Sequence, residues 1–192
     1  MHICSKMETK EKQILREEIE FPQEITTSLE DNKIIMKKDS DELQRKLNLL
    51  VDIKLEGNKI ILDSKKASKR EKKMFGTMKA HINNMIKGLT EGFKYKLQIA
   101  NVHFPMNVSH NKENNEIIIK NFLGEKQDRI VKLVEGVDVK IDKETIELES
   151  IDIEKAGQCA ANIEKGARVR NKDRRIFQDG IFIIEKPRRK FL

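Results

Sequence analysis

The sequence predicts an α+β protein made of two tandem duplicated domains, each a mostly antiparallel sheet packed against one main helix. Three observations predict it. Blocks of residues recur in the same order at offsets of 81–86 positions. Each half carries short apolar–polar alternations, the signature of half-buried strands. Each half also carries one stretch with apolar residues three and four apart, which marks a helix with one buried face.

The repeats come first because they set the architecture. Phe21-Pro22 returns as Phe104-Pro105, and Asn32-Lys33-Ile34-Ile35-Met36-Lys37 as Asn115-Glu116-Ile117-Ile118-Ile119-Lys120, both displaced by 83. Val51-Asp52-Ile53-Lys54-Leu55-Glu56 returns as Val137-Asp138-Val139-Lys140-Ile141-Asp142, displaced by 86. Ile60, Leu62 and Ser64 return at the same offset as Ile146, Leu148 and Ser150. Gly76, Ala80 and Ile82 then match Gly157, Ala161 and Ile163, displaced by 81. Short insertions and deletions after a tandem duplication produce such a drift.

Within the first unit, the alternations at Ile34 and Met36 and at Val51, Ile53 and Leu55 predict strands. Glu56-Gly57-Asn58-Lys59 predicts a hairpin turn before Ile60-Ile61-Leu62. Met74, Met78, Ile82, Met85 and Ile86 fall on one helical stripe, with Gly88 expected to cap its end. In the second unit Ile153, Ala156, Ala160 and Ile163 form the matching stripe, closed by Gly166. The methionines read as core packing, not as a cofactor box. The organisation is then a flexible leader over 1–11, domains over 12–92 and 93–186 meeting near 88–100, and a basic tail over 187–192.

The 192 residues include 39 Lys and Arg against 32 Asp and Glu, a formal charge of +7. Residues 165–192 hold ten basic side chains against Asp173, Asp179 and Glu185, so they account for the whole excess. A second cluster at 64–87 sets eight basic residues, among them Lys65, Lys66, Lys69, Arg70, Lys72 and Lys73, against Glu71 alone. Acidic stretches such as 135–154 offset it. Segregated basic patches on a neutral body suit a polyanionic partner, although a solvated helix face explains 64–87 equally well.

Other classes drop out. No run approaches the roughly 18 apolar residues of a spanning helix, so no membrane role is expected. The first residues lack an apolar signal core, and the default is a soluble intracellular protein. Cys4 and Cys159 make neither a disulfide framework nor a metal site, and Cys159 sits among small residues as in a helix core. His2, His81, His103 and His110 have no metal-ligand spacing, and phosphate loops, nucleophile elbows and dinucleotide fingerprints are absent. His103, ahead of Phe104-Pro105, reads as structural. No catalytic residue, metal or cofactor is expected.

The asymmetry between the halves is Arg168-Val169-Arg170-Asn171-Lys172-Asp173-Arg174-Arg175-Ile176-Phe177-Gln178-Asp179-Gly180-Ile181-Phe182, which has no first-domain counterpart. It interleaves five cations with amides and two rings, ahead of an expected turn at Asp179-Gly180 and an apolar strand. Forked arginines grip phosphates, amides read base or sugar edges, and rings stack on unpaired bases.

At this point the residues resemble a known family. Asn84-Met85-Ile86-Lys87-Gly88-Leu89-Thr90-Glu91-Gly92-Phe93-Lys94-Tyr95-Lys96 is similar to the domain junction of the universal large-subunit ribosomal protein six family, protein nine of the large subunit in the older eukaryotic naming. His103-Phe104-Pro105-Met106-Asn107-Val108 and Asn121-Phe122-Leu123-Gly124-Glu125-Lys126 resemble the opening of its second domain. Asn171-Lys172-Asp173, Arg175, Phe177 and Asp179-Gly180-Ile181 resemble its eukaryotic and archaeal C-terminal signature, from which Lys165 and Phe182 depart. The likeness covers roughly residues 12–186. It implies the same duplicated fold and a structural, non-enzymatic role on large-subunit ribosomal RNA near the sarcin–ricin loop and the factor-binding region. It also implies ribosomal protein neighbours at the stalk base, translation factors nearby, and a cytoplasmic location with nucleolar assembly if the source is a eukaryote.

The expected RNA contacts are Lys94, Lys96, Lys126, Arg168, Arg170, Lys172, Arg174, Arg175, Arg188, Arg189 and Lys190, with Asp179 and Gly180 shaping the turn that aims them. The alternative is a free-standing RNA-binding regulator or ribosome assembly factor. An RNA-processing enzyme would need a metal or acid–base cluster that the sequence lacks.

Overall fold

The computed structural model describes residues 15–30, 32–47, 50–64 and 68–191. The expected leader, Cys4, Lys65 and Lys66 lie outside them. The chain divides into two compact units between Ile86 and Lys87.

In the first unit, strands β1 (Leu15–Glu20), β6 (Lys59–Ser64) and β5 (Asp52–Glu56) form one antiparallel sheet in that order. Strands β2 (Thr26–Glu30), β3 (Lys33–Lys38) and β4 (Asp41–Lys46) form another. The expected hairpin is present: Glu56 pairs with Lys59 across Gly57 and Asn58, and Gly57 takes a φ of 58°, which a residue without a Cβ adopts freely. Helix α1 (Lys69–Glu91) starts with reciprocal capping. The Glu71 amide donates to Ser68 Oγ at 3.3 Å, and Glu71 Oε2 accepts from the Ser68 amide at 3.1 Å.

The buried line of α1 runs Phe75, Met78, Ile82, Met85, Leu89 at spacings of three and four. Met74 and Ile86, expected on that stripe, flank it half-buried. Gly88 does not cap the helix, which runs on to Glu91. Gly92 terminates it instead, at a φ of 69° with its amide donating to the Gly88 carbonyl at 3.0 Å. Gly88 is small for a different reason: a Cβ there would collide with the carbonyl oxygen of Ile151.

In the second unit, β11 (Asp138–Ile141), β12 (Thr145–Ser150), β7 (Phe93–Ala100), β13 (Gly180–Lys186) and β14 (Arg189–Lys190) form a five-stranded antiparallel sheet in that order. Strands β10 (Arg129–Lys132), β9 (Glu116–Lys120) and β8 (Asn107–Asn111) form the smaller one. Asp152 caps helix α2 (Ile153–Gly166), its carboxylate accepting from the Glu154 amide at 2.9 Å. The core forms where Ala156, Cys159, Ala160 and Ile163 of α2 meet buried residues such as Leu97, Ile99, Ile146, Leu148 and Ile181. Small residues at three of those helix positions let the helix sit close to the strands. Burial pushes the Cys159 thiol pKa up, so it behaves as a small apolar group.

The two units repeat each other strand for strand. Ile53 faces Leu62 and Leu55 faces Ile60 in the first; 86 residues later Val139 faces Leu148 and Ile141 faces Ile146. Ile34 and Met36 at the centre of β2-β3-β4 become Ile117 and Ile119 at the centre of β8-β9-β10, all fully buried. The duplication read from the sequence therefore extends to register. The addition is β13 with β14, laid on the outer edge of β7; among the described residues the first unit has no equivalent.

Candidate nucleic-acid interface

The basic segment between α2 and β13 is braced at both ends. At its start α2 closes on Gly166, where any side chain would strike a Val131 methyl, so helix and β10 meet closely. Arg129 of β10 then ties the outgoing chain down. Its Nη1 donates to the Gly166 carbonyl at 3.0 Å and to the Arg168 carbonyl at 2.9 Å. Its Nε and Nη2 grip the Glu125 carboxylate at 2.7 and 2.6 Å, a forked pair. The guanidinium also lies 4.0 Å over the Phe122 ring. The Arg129 hydrogen bond holds the Glu125 carboxyl below its ordinary pKa.

At the far end Asp179 is buried, and the tight turn expected at Asp179-Gly180 is absent. Gly180 opens β13 without a left-handed φ. Asp179 shapes the segment by a long-range route. Its Oδ1 accepts from the amides of Val102 and His103 at 2.7 and 2.9 Å, and its Oδ2 accepts from His103 Nδ1 at 2.6 Å. The segment is thereby fastened to the loop after β7.

Burial alone would raise the Asp179 pKa, but the hydrogen bonds from His103 and Val102 outweigh it, and the group titrates below its ordinary 3.8. A folded value below the unfolded one stabilises fully above the ordinary value and is lost as pH falls through the folded value. The Asp179→Asn protein is expected to melt earlier than the wild type at neutral pH, with a gap that narrows below about pH 4. Melting curves from neutral to acidic pH check this; a constant gap would show that the charge contributes nothing.

Between these anchors Asp173 folds the chain on itself. Its side chain accepts from the Arg175 amide at 2.9 Å, and its carbonyl accepts from the amides of Ile176 and Phe177. Arg170, Lys172, Arg174 and Arg175 are left exposed. Phe177 is not bare: His103 packs on it at 5.3 Å between centroids, and Lys172 Nζ lies 4.7 Å from its ring. Lys165, Arg168, Arg174 and Arg175 line one open cleft of about 820 Å³ together with Phe182.

The structure does not gather every expected contact there. Lys94 and Lys96 stand on the solvent side of β7, paired with Glu149 at 2.8 Å and Glu147 at 3.3 Å. Lys126 is exposed beyond the 3-10 turn at Phe122–Gly124. Arg188, Arg189 and Lys190 are exposed at the β13–β14 hairpin. There Arg189 stacks at 4.8 Å on Phe191, and Lys190 pairs with Glu185 at 3.1 Å. In the first unit Lys69, Arg70, Lys72 and Lys73 are exposed on the first turns of α1. Sequence reasoning missed Arg129 and the His103–Asp179 link. Among the described residues no group of His, Cys, Asp and Glu is arranged to hold a metal ion.

The sequence model of the family described as ribosomal protein L6 matches residues 21–92 and 104–180, one stretch in each repeat. The chain is 43% identical over 174 residues to large ribosomal subunit protein uL6 of Methanococcus vannielii, covering 90% of this chain and 94% of that one. It is 43% identical over 172 residues to the uL6 protein of Staphylothermus marinus, covering 88% and 93%. With the uL6 protein of Desulfurococcus amylolyticus it shares 40% over 172 residues, covering 88% and 94%.

Proposed function

The chain belongs to the ribosomal protein L6 family, and on that premise we propose that its second unit fastens it to large-subunit ribosomal RNA. It is a structural constituent of the large ribosomal subunit and not an enzyme; its partners are ribosomal RNA and other ribosomal proteins. The observation that carries the proposal is the braced segment. Arg129 and Asp179 hold its two ends, so Arg168, Arg170, Lys172, Arg174 and Arg175 are presented from an ordered backbone. Preordering lowers the conformational cost of engaging a folded RNA.

Lys126 and Arg189 extend the positive field, whereas the carboxylate partners of Lys94, Lys96 and Lys190 reduce what those three contribute. The site on the subunit is proposed to lie by the sarcin–ricin loop and the factor-binding region. Proteins of the stalk base are its proposed neighbours and translation factors pass nearby. Assembly takes place in the nucleolus if the source is a eukaryote.

The test is sedimentation of tagged protein with large subunits through a high-salt wash, followed by chemical probing of the RNA. A constituent stays with mature subunits in stoichiometric amount and protects nucleotides in the sarcin–ricin region. Association with precursor particles only would support the assembly-factor alternative.

A further inference from the structure

We propose that the cleft beside the C-terminal end of α2 receives a single unpaired RNA nucleotide, its base on the Phe182 ring and its phosphate held by Lys165, Arg174 and Arg175. This rests on the RNA-binding role proposed above and names the part of the RNA that the cleft takes.

The cleft, at about 820 Å³, lies in the size range of small-ligand sites and is far too small for a duplex. Its wall includes an aromatic ring that the fold itself does not bury. Phe182 is 38% exposed, although it sits on a strand inside the five-stranded sheet. Gly180, two residues earlier, lets that ring lie back over the strand, for a Cβ there would come within 3.0 Å of it. The other ring of the segment, Phe177, already carries His103 and Lys172, so Phe182 is the stacking platform.

Charge fits the same occupant. Lys165, Arg168, Arg174 and Arg175 line the cleft, while Asp179 is engaged by the loop after β7. Glu164 and Gln178 also line it. The Gln178 amide nitrogen donates to the Arg175 carbonyl at 3.2 Å, which leaves its oxygen to accept from a base amino group. Finally, β14 pairs with β13 only at Glu185 and Lys186. The preceding stretch of β13 borders the cleft at Ile181 and Phe182, with backbone groups on the side away from β7. Cations, a ring, one amide acceptor and a strand edge that β14 does not reach together suit an unstacked nucleotide.

The experiment titrates the full chain, labelled for NMR, with AMP, with CMP and with inorganic phosphate, and measures large-subunit ribosomal RNA binding on the same samples. AMP and CMP are expected to shift resonances of residues 164–182 and to bind more tightly than phosphate. Phe182→Leu should weaken AMP by about tenfold, the usual worth of one base stacked on a ring, and leave phosphate affinity unchanged. Phe182→Tyr should restore AMP binding, which separates loss of the ring from loss of the fold. Phosphate that binds as tightly as AMP, or AMP affinity indifferent to Phe182→Leu, overturns the proposal. If the wild type binds ribosomal RNA in that event, the nucleotide site fails and the RNA role stands. If it binds no ribosomal RNA, the role fails and the proposal with it.

Discussion

Arg174→Glu with Arg175→Glu is expected to lower affinity for large-subunit ribosomal RNA by roughly a hundredfold, and Lys72→Glu with Lys73→Glu by only a few-fold. Total charge does not separate the pairs, since each exchange alters the net charge equally. Backbone order does. Arg174 and Arg175 project from a turn fixed by Asp173 and lie between two anchors, Arg129 and Asp179, that fasten the segment to β10 and to the loop after β7. Lys72 and Lys73 project from the exposed side of a helix whose other side is core, and they meet solvent as single point charges. Forked guanidinium pairs suffer far more than a diffuse lysine field when the sign is reversed. Removing one cation from a phosphate should also lower the slope of log affinity against log salt by roughly 0.7–0.9, so the arginine pair should lower it by about 1.5. Filter binding at two salt concentrations checks both expectations, after circular dichroism shows each variant folded. Equal losses would make α1 an RNA surface of the same rank.

The fold is legible because duplication and alternation are both local signals. Glu56-Gly57-Asn58-Lys59 reports its own hairpin, and the recurrence of Ile34 and Met36 as Ile117 and Ile119 reports the second sheet before any long-range neighbour is known. Gly88 misleads for the opposite reason. A glycine just past an apolar stripe looks like a cap, and only the proximity of the Ile151 carbonyl, 63 positions away, shows that it is a packing glycine inside the helix.

The candidate site divides in the same way. The cations of 165–192 are visible as a composition shift. Which of them are neutralised depends on register, which sequence does not reveal: Lys96 lies directly opposite Glu147 and Lys94 opposite Glu149, so two expected RNA ligands are ion-paired. Asp179 stands out in the sequence, but for a local turn. Its work is done on amides 76 and 77 positions away. Arg129 has no signal beyond Glu125 four residues before it, in a stretch that is not helical.

Replacing that arginine is expected to cause the largest loss of stability in the second unit. The Arg129 side chain is only 16% exposed and serves four partners: two backbone carbonyls, a carboxylate and a ring. Arg129→Met keeps much of the apolar stem and removes every charged interaction. The carbonyls of Gly166 and Arg168 then lose a donor, and Glu125 loses its fork. Glu125 is 42% exposed and regains water, which discounts that part of the loss. A loss of about 3 kcal/mol remains, equivalent to a fall in melting temperature of roughly 15 °C for a unit of this size. Arg129→Lys should recover little, because one ammonium cannot span two carbonyls and a carboxylate in that geometry. Glu125→Gln alone should cost less, and combined with Arg129→Met it should add little, since the two residues act as a unit. The acid limb carries the same signature. The Glu125 pKa lies below its ordinary 4.5 in the folded protein. Its contribution is therefore complete above that value and disappears as pH falls through the folded one, so wild type and Arg129→Met should converge in part at low pH. Thermal melts of the wild type and these variants across pH test all of this together. Arg129→Lys within about 0.5 kcal/mol of wild type would show that charge alone, and not the fork, fastens the start of the basic segment.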